Sequence, residues 1–263
     1  MNSEKTALIT GGASGIGLEL AKLLAARNYN LILVGRNKTN LERAKKSLEG
    51  LTQNINCVVQ DLSIQGAAQV LFDKCKDNYQ GIDILVNNAG VGIFGPHTSL
   101  SDNELENMLM LNITNLTLLC RLFGSEMSTR KEESYILNVA SLAGYQPVPK
   151  LAAYAASKSY VLSFSEALAK ELENNGVFVT CLSPGHTQTN FFDEAGIEDN
   201  KGGFFSSTTR MDPKSVAKIG VNAMFKKKIS VVAGIRNNLV AASNRFAPRA
   251  VVAQISKRLT SNP

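Results

Sequence analysis

Three side chains near the middle of the chain could move a proton at a carbon–oxygen bond. Tyr154 and Lys158 stand four residues apart in Tyr-Ala-Ala-Ser-Lys, and Ser141 lies thirteen positions upstream of the tyrosine. On a helix, positions i and i+4 share a face, so the phenol and the ammonium would project together. An ammonium beside a phenol favours the phenolate and draws the tyrosine pKa down from about 10 towards working pH. A tyrosine tuned in that way can give or take a proton at a carbonyl or alcohol oxygen. Ser141 follows the apolar run YILNVA, which would leave its hydroxyl at the end of a strand. The same Tyr and Lys also fit a surface helix that carries the pair by chance. The elements around them decide between the two.

The first of these elements lies at the N-terminus. Residues 5–10 (KTALIT) read as a short buried strand, followed by Gly11-Gly12-Ala13-Ser14-Gly15-Ile16-Gly17 and then an apolar stripe of Ile16, Leu20, Leu23 and Leu24 at helical spacing. A strand, a glycine-rich turn and a helix suit a pyrophosphate. The glycines allow close backbone approach, and the helix N-terminus offers free N–H groups and the positive end of its dipole. The spacing is GxxxGxG, which departs from the general GxGxxG fingerprint. The second strand, residues 30–35, ends where dinucleotide-binding folds place a carboxylate against the ribose 2′-hydroxyl. Here Arg36, Asn37 and Lys38 follow instead. A guanidinium can grip a phosphate through two hydrogen bonds and no carboxylate repels it, which favours NADP over NAD. Otherwise Arg36 merely begins a surface helix over 38–49.

Further strands are expected at 56–60, 82–87, 133–140, 177–182 and 229–234, with helices over about 64–78, 102–127 and 153–174. Strands alternating with helices indicate a parallel sheet with right-handed crossovers, whose ligands bind at the carboxyl ends of the strands. Those ends carry Asp61-Leu62, Asn87-Asn88-Ala89-Gly90, Ser141 and Ser183-Pro184-Gly185. Ser101 to Glu104 has the form of a capping box opening the long helix. Asn112 interrupts that helix within MLMLNITNL and needs hydrogen-bond partners, as any buried amide does. Residues 186–212 lose all periodicity and hold Phe191, Phe192, Phe204 and Phe205, which predicts a mobile flap with an apolar inner face. Neither a repeat nor a linker divides the chain, so one domain is expected.

At 263 residues with 44% hydrophobic and 19% charged side chains, the chain can bury a sizeable core. The polar start MNSEKTALIT is unlike a secretory signal, and no uninterrupted apolar run approaches the ~18 residues of a membrane span. A cytoplasmic protein is expected. Cys57, Cys75, Cys120 and Cys181 are widely spaced, and only His97 and His186 supplement them. Reduced thiols and no metal site are therefore expected. Charge is unevenly placed. Residues 201–263 hold twelve Lys or Arg and one acid, Asp212, while the first 200 hold sixteen basic and twenty-one acidic residues. A basic tail with Leu239, Val240, Phe246, Val251, Val252, Ile255 and Leu259, split at Pro248, fits a solvated face of the subunit. It also fits contact with an anionic membrane surface or an acidic carrier protein. Nucleic acid is not expected, because aromatics are scarce and no known binding motif is present.

Together, TGGASGIG (10–17), Asp61, NNAG (87–90), Asn112, Ser141, YAASK (154–158) and SPG (183–185) resemble the short-chain dehydrogenase/reductase family, in order and spacing, over about residues 5–235. The resemblance implies an α/β fold: a single Rossmann-type doubly wound domain with a mainly parallel seven-stranded sheet flanked by helices. That domain would span 1–235, followed by a basic C-terminal extension over 236–263. It implies an NAD(P)-dependent oxidoreductase interconverting a carbonyl and a secondary alcohol; the phenylalanine-bearing flap favours a hydrophobic substrate, and the basic tail an anionic or carrier-linked one. By position, Tyr154 is the acid/base, and Lys158 binds the nicotinamide ribose and lowers the tyrosine pKa. Ser141 orients the substrate oxygen, and Asn112 supports a water-linked proton relay through Lys158. Gly11, Ser14, Gly15, Ile16 and Gly17 surround the pyrophosphate. Asp61 and Leu62 meet the adenine, Asn88, Ala89 and Gly90 the adenosine side, and Pro184, Gly185 and Thr187 the nicotinamide end. Arg36 follows the pattern of NADP-preferring members, with NAD as the alternative. A sensor that binds the cofactor without turnover is the competing function. Many members end in an Asp-Gly-Gly segment across a tetramer axis, whereas ISVVAG (229–234) here leads into the basic run. A homodimer through the helices at 102–127 and 153–174 is thus expected ahead of a tetramer.

Overall fold

Period-two alternation divides the apolar residues of each strand between two faces of one sheet. In β1 (Thr6–Thr10) and β2 (Asn30–Gly35), Ala7, Ile9, Leu31 and Leu33 pack on one side, and Leu8, Ile32 and Val34 on the other. Strands that are apolar on both sides need cover on both faces, which is the setting of parallel sheets. The computed structural model, which describes residues 5–52, 54–197, 210–244 and 246–261, has this arrangement. β3 (Ile55–Val59), β4 (Ile84–Asn87), β5 (Ser134–Val139), β6 (Val177–Ser183) and β7 (Ser230–Val232) complete a seven-stranded sheet in the order β3-β2-β1-β4-β5-β6-β7. Every pairing in it is parallel.

Helices α1 (Gly15–Ala25), α2 (Lys38–Leu48) and α8 (Pro213–Phe225) seal one face. α3 (Ala67–Asn78), α5 (Leu116–Met127) and α6 (Ala152–Leu172) seal the other. The chain leaves β1 for β2 on one side and later returns to place β4 on its other side. That reversal opens a crevice at the carboxyl ends of the strands. Most element ends lie within a residue or two of the sequence expectation, but β4 begins at Ile84 and α3 at Ala67, both later than expected.

Two expectations need correction. The helix expected over 102–127 is divided into α4 (Asp102–Leu109), a π-helical turn (Met110–Asn115) and α5. The wider turn lets Asn112 and Asn115, three residues apart, serve different neighbours. Ser101 caps α4 as the pattern predicted, its hydroxyl accepting from Glu104 N–H at 3.2 Å and donating to the Glu104 carboxylate at 2.7 Å. Second, the stretch Asp102–Met127 is long and apolar enough to cross a membrane by length and hydropathy. Its polar residues are scattered, so it forms no unbroken apolar run, yet its average passes. It is a core element, because α5 packs on the sheet through Leu116, Leu119, Cys120 and Phe123.

After β6 the chain forms the short α7 (Phe191–Glu194), whose Phe192, with Ala195 and Ile197, joins Met108, Val148, Leu151 and Tyr154 in a third apolar cluster. This portion of the expected flap is packed down. Phe204 and Phe205 lie outside the described residues. The basic tail forms α9 (Ile235–Ser243) and α10 (Arg249–Ser261), separated at Pro248.

Candidate active site

The site is built from the ends of β1 and β4. Thr10 places its hydroxyl between the strands, donating to Val86 O at 3.2 Å and accepting from Asn88 and Ala89 N–H, both at 3.0 Å. The Asn88 amide donates back to Thr10 O at 3.0 Å and Gly11 O at 3.2 Å. These bonds hold the glycine turn against the loop after β4. Gly11 has φ of +63°, which L side chains rarely adopt, and a Cβ at Gly17 would collide with Gly11 O and the Asn88 amide. The packing therefore explains two of the glycines independently of any ligand. At the mouth of the turn, Ser14 caps α1 without a side-chain hydrogen bond, and no acidic residue occupies the first helical turn. The N–H groups and positive dipole end of α1 are thus directed into the cleft.

A cleft of about 300 Å³ runs from this turn to Tyr154. Gly11, Ser14, Gly15, Ile16, Arg36, Asp61, Leu62, Asn88, Ala89 and Gly90 line one end, and Ser141, Tyr154, Lys158, Pro184, Gly185 and Thr187 line the other. Gly17 and Asn112 are the two expected residues that stand behind the wall. Asp61 also shapes its own loop, accepting from Ser63 N–H at 2.8 Å and Ser63 Oγ at 2.7 Å. Arg36 is exposed at the end of β2. Thr189 leans over the glycine turn so closely that a Cβ at Gly15 would come 2.9 Å from its methyl. A long cleft with an anion-binding turn at one end and an exposed guanidinium beside it fits a dinucleotide.

At the other end α6 carries Tyr154 and Lys158 on one face, both buried. The Lys158 ammonium donates to Val139 O at 2.9 Å and stands 5.9 Å from the Tyr154 ring centroid. Burial pushes the Tyr154 phenol up to about 12, and a hydrogen bond with the Ser141 side chain opposes this only in part. Burial also lowers the Lys158 ammonium to about 8. The pairing anticipated from sequence is present, but in the chain alone the depressed tyrosine pKa is not. Desolvation dominates the phenol, and the ammonium is turned towards the Val139 carbonyl. Ser141, in extended conformation at the end of β5, accepts from Ala143 N–H at 3.1 Å.

Asn112 is fully buried. Its amide accepts from Val91 N–H at 3.0 Å and donates to Val91 O at 2.9 Å and Ser157 Oγ at 3.1 Å. Ser157 in turn donates to Tyr154 O at 2.7 Å. Asn112 therefore clamps the loop after β4 to the helix that carries Tyr154. Asn115, from the same π-helical turn, donates to Leu62 O at 2.7 Å and Ile64 O at 2.9 Å and accepts from Ala68 N–H at 3.2 Å, fixing the loop after β3. Sequence reasoning missed Thr10, Asn115 and Ser157. The glycine-turn neighbour at Thr10 and the paired asparagines in MLMLNITNL were the available signals. It also missed Asn138, which accepts from Asn87 at 2.9 Å and donates to Ser165 Oγ at 3.0 Å beneath the cleft. The substrate-side wall includes Leu142, Val148, Leu151 and Phe191, whose ring stands 5.2 Å from that of Tyr154. Its rim involves the tail: Asn244 donates to Gln146 at 2.9 Å, and a Cβ at Gly185 would strike Asn237.

Comparison with known proteins agrees with this geometry. The short chain dehydrogenase family model matches residues 5–200. An uncharacterised oxidoreductase of Staphylococcus saprophyticus is 30% identical over 222 residues, covering 84% of this chain and 91% of that protein. A short-chain dehydrogenase of Sphingobium yanoikuyae, solved in complex with NADPH, superposes with a TM-score of 0.81 at 24% identity, over 92% of this chain and 94% of that one. A short-chain dehydrogenase/reductase of Burkholderia phymatum, solved with NAD, gives 0.80 at 24% identity, over 92% of each chain. With the family model spanning β1 to β6 and the residues named in the cleft, the chain belongs to the short-chain dehydrogenase/reductase family of NAD(P)-dependent oxidoreductases.

Proposed function

We propose that the protein transfers a hydride between NADP(H) and a carbonyl or secondary alcohol, with Tyr154 as acid/base and a hydrophobic or carrier-linked substrate. The observation that carries this reading is a cleft with Arg36 and the glycine turn at one end and Ser141, Tyr154 and Lys158 at the other. When bound, the nicotinamide supplies the hydride chemistry, and the protein supplies position and proton control. The turn at Gly11 to Gly17 and the N-terminus of α1 would hold the pyrophosphate, and Arg36 a 2′-phosphate. Lys158 would meet the nicotinamide ribose. In the reductive direction the Tyr154 phenol donates its proton to the oxygen that gains charge, while the Ser141 hydroxyl donates a hydrogen bond that strengthens as the charge grows. Phe191 and the cluster around Phe192 keep water from that oxygen. The apolar wall supports a hydrophobic substrate, and the basic tail supports a carrier-linked one.

Exposed Leu109 on α4 and Tyr160 on α6 support a homodimer through those helices. Four free thiols suit the reducing conditions of a cytoplasm. The test is a fluorescence titration with NADPH and NADH, followed by absorbance turnover on a panel of ketones and aldehydes. Tighter binding of NADPH with oxidation by a panel member is expected. Preference for NADH would overturn the Arg36 assignment. Binding without turnover across a broad panel would favour the sensor.

A further inference from the structure

Burial in α10 runs against hydropathy. Ser256, only 5% exposed, and Thr260 face inwards with Val252, while Val251, Ile255 and Leu259 form an i, i+4, i+8 ridge on the outside, Ile255 being 52% exposed. α9 repeats the pattern with Ile235, 84% exposed, and Leu239, and Phe246 in the connecting turn is 88% exposed. An amphipathic helix in water buries its apolar stripe. A concentrated apolar face left outside and bordered by charge marks a surface that something else covers.

The charges bordering the face identify what that is. Arg236, Arg249 and Arg258 are exposed beside it, and residues 235–261 include no Asp or Glu. A second copy docking through the same face would set these arginines against their own copies, which the Coulomb cost opposes. Single-stranded nucleic acid would need several aromatic platforms, and this face has Phe246 alone. An anionic bilayer satisfies both features, because its acyl boundary accommodates the ridge and its headgroup phosphates pair with the guanidinium groups. We propose that α9 and α10 form a docking face for anionic lipid bilayers. Through the Asn244–Gln146 hydrogen bond, the face is joined to the substrate-side rim of the cleft. The proposal does not depend on the hydride transfer assigned to that cleft, and it gives the tail a lipid occupant in place of an acidic carrier.

The full-length protein is tested by co-sedimentation with vesicles of phosphatidylcholine alone and of phosphatidylcholine with phosphatidylglycerol. Binding to the anionic vesicles, weakened by salt, and little binding to the neutral ones is expected. Two variants separate the contributions: Leu239→Ser/Phe246→Ser/Ile255→Ser on the ridge and Arg249→Glu/Arg258→Glu on the charge. Each should weaken partitioning at least about tenfold, with far-ultraviolet circular dichroism and Tm unchanged because the replaced groups are exposed. Equal partitioning of wild type and ridge variant, or none by either, overturns the proposal. Two further outcomes also overturn it, each without vesicle binding: conversion of a dimer to a monomer by the ridge variant in analytical ultracentrifugation, which assigns the face to a second copy, and retention of wild type on immobilised acyl carrier protein, which assigns it to an acidic protein.

Discussion

At the residue scale the chemistry depends on which form of Tyr154 predominates. Burial holds the phenol at about 12, so at neutral pH it is protonated and ready to donate. Donation to a carbonyl oxygen uses that form directly, whereas alcohol oxidation needs the scarce phenolate. The sign follows. In the oxidation direction kcat/KM should rise as pH rises from neutral, and in the reduction direction it should stay level over the same span. Tyr154→Phe should remove about 10²–10⁴-fold of kcat in both directions and leave NADPH binding in place. A level oxidation profile, or a variant that keeps its turnover, would take the acid/base role away from Tyr154. The pair was legible in the sequence because a four-residue spacing on a helix is local geometry. Its electrostatics were not legible, since burial of both groups and the turn of Lys158 towards Val139 O come from the packed fold.

At the element scale the π-helical turn joins two halves of the cleft. Asn112 holds the loop after β4, and Asn115 holds the loop after β3 that carries Asp61 and Leu62. Asn115→Ala would leave Leu62 O, Ile64 O and Ala68 N without their side-chain partner in a buried site. Stability should fall by about 2–3 kcal/mol, read by urea unfolding, with weaker dinucleotide binding alongside. Unchanged binding at reduced stability would restrict Asn115 to the core. The strand–turn–helix units were legible from hydropathy, since strands apolar on both faces and single-sided helices leave different periods. The π-helical turn was not, because its one extra residue scarcely alters the apolar pattern. The Asn87–Asn138–Ser165 cluster was equally hidden, as its bonded pairs are 51 and 27 residues apart in the chain.

Across the whole molecule, labour is divided between the halves of the chain. Under the proposed function, the elements from β1 to β4 supply most of the dinucleotide end and the chain after β5 most of the substrate end, with Thr189 reaching back over the glycine turn and Asn244, just after α9, fastened to the rim. Asn244→Ala should therefore raise the KM for a carbonyl substrate about fivefold while leaving the NADPH dissociation constant unchanged. Equal effects on both would show that the rim and the dinucleotide end do not act separately. The sheet order has one more consequence, for synthesis on the ribosome. The Thr10 hydroxyl finds its partners at Asn88 and Ala89, 78 and 79 residues later. Until β4 leaves the exit tunnel, the emerging β1 has β2 on one side and an open edge on the other, able to pair with the wrong strand. The nascent chain thus carries its glycine turn unbraced until β4 has been made, which makes β4 the segment whose arrival ends the period of greatest exposure to misassembly.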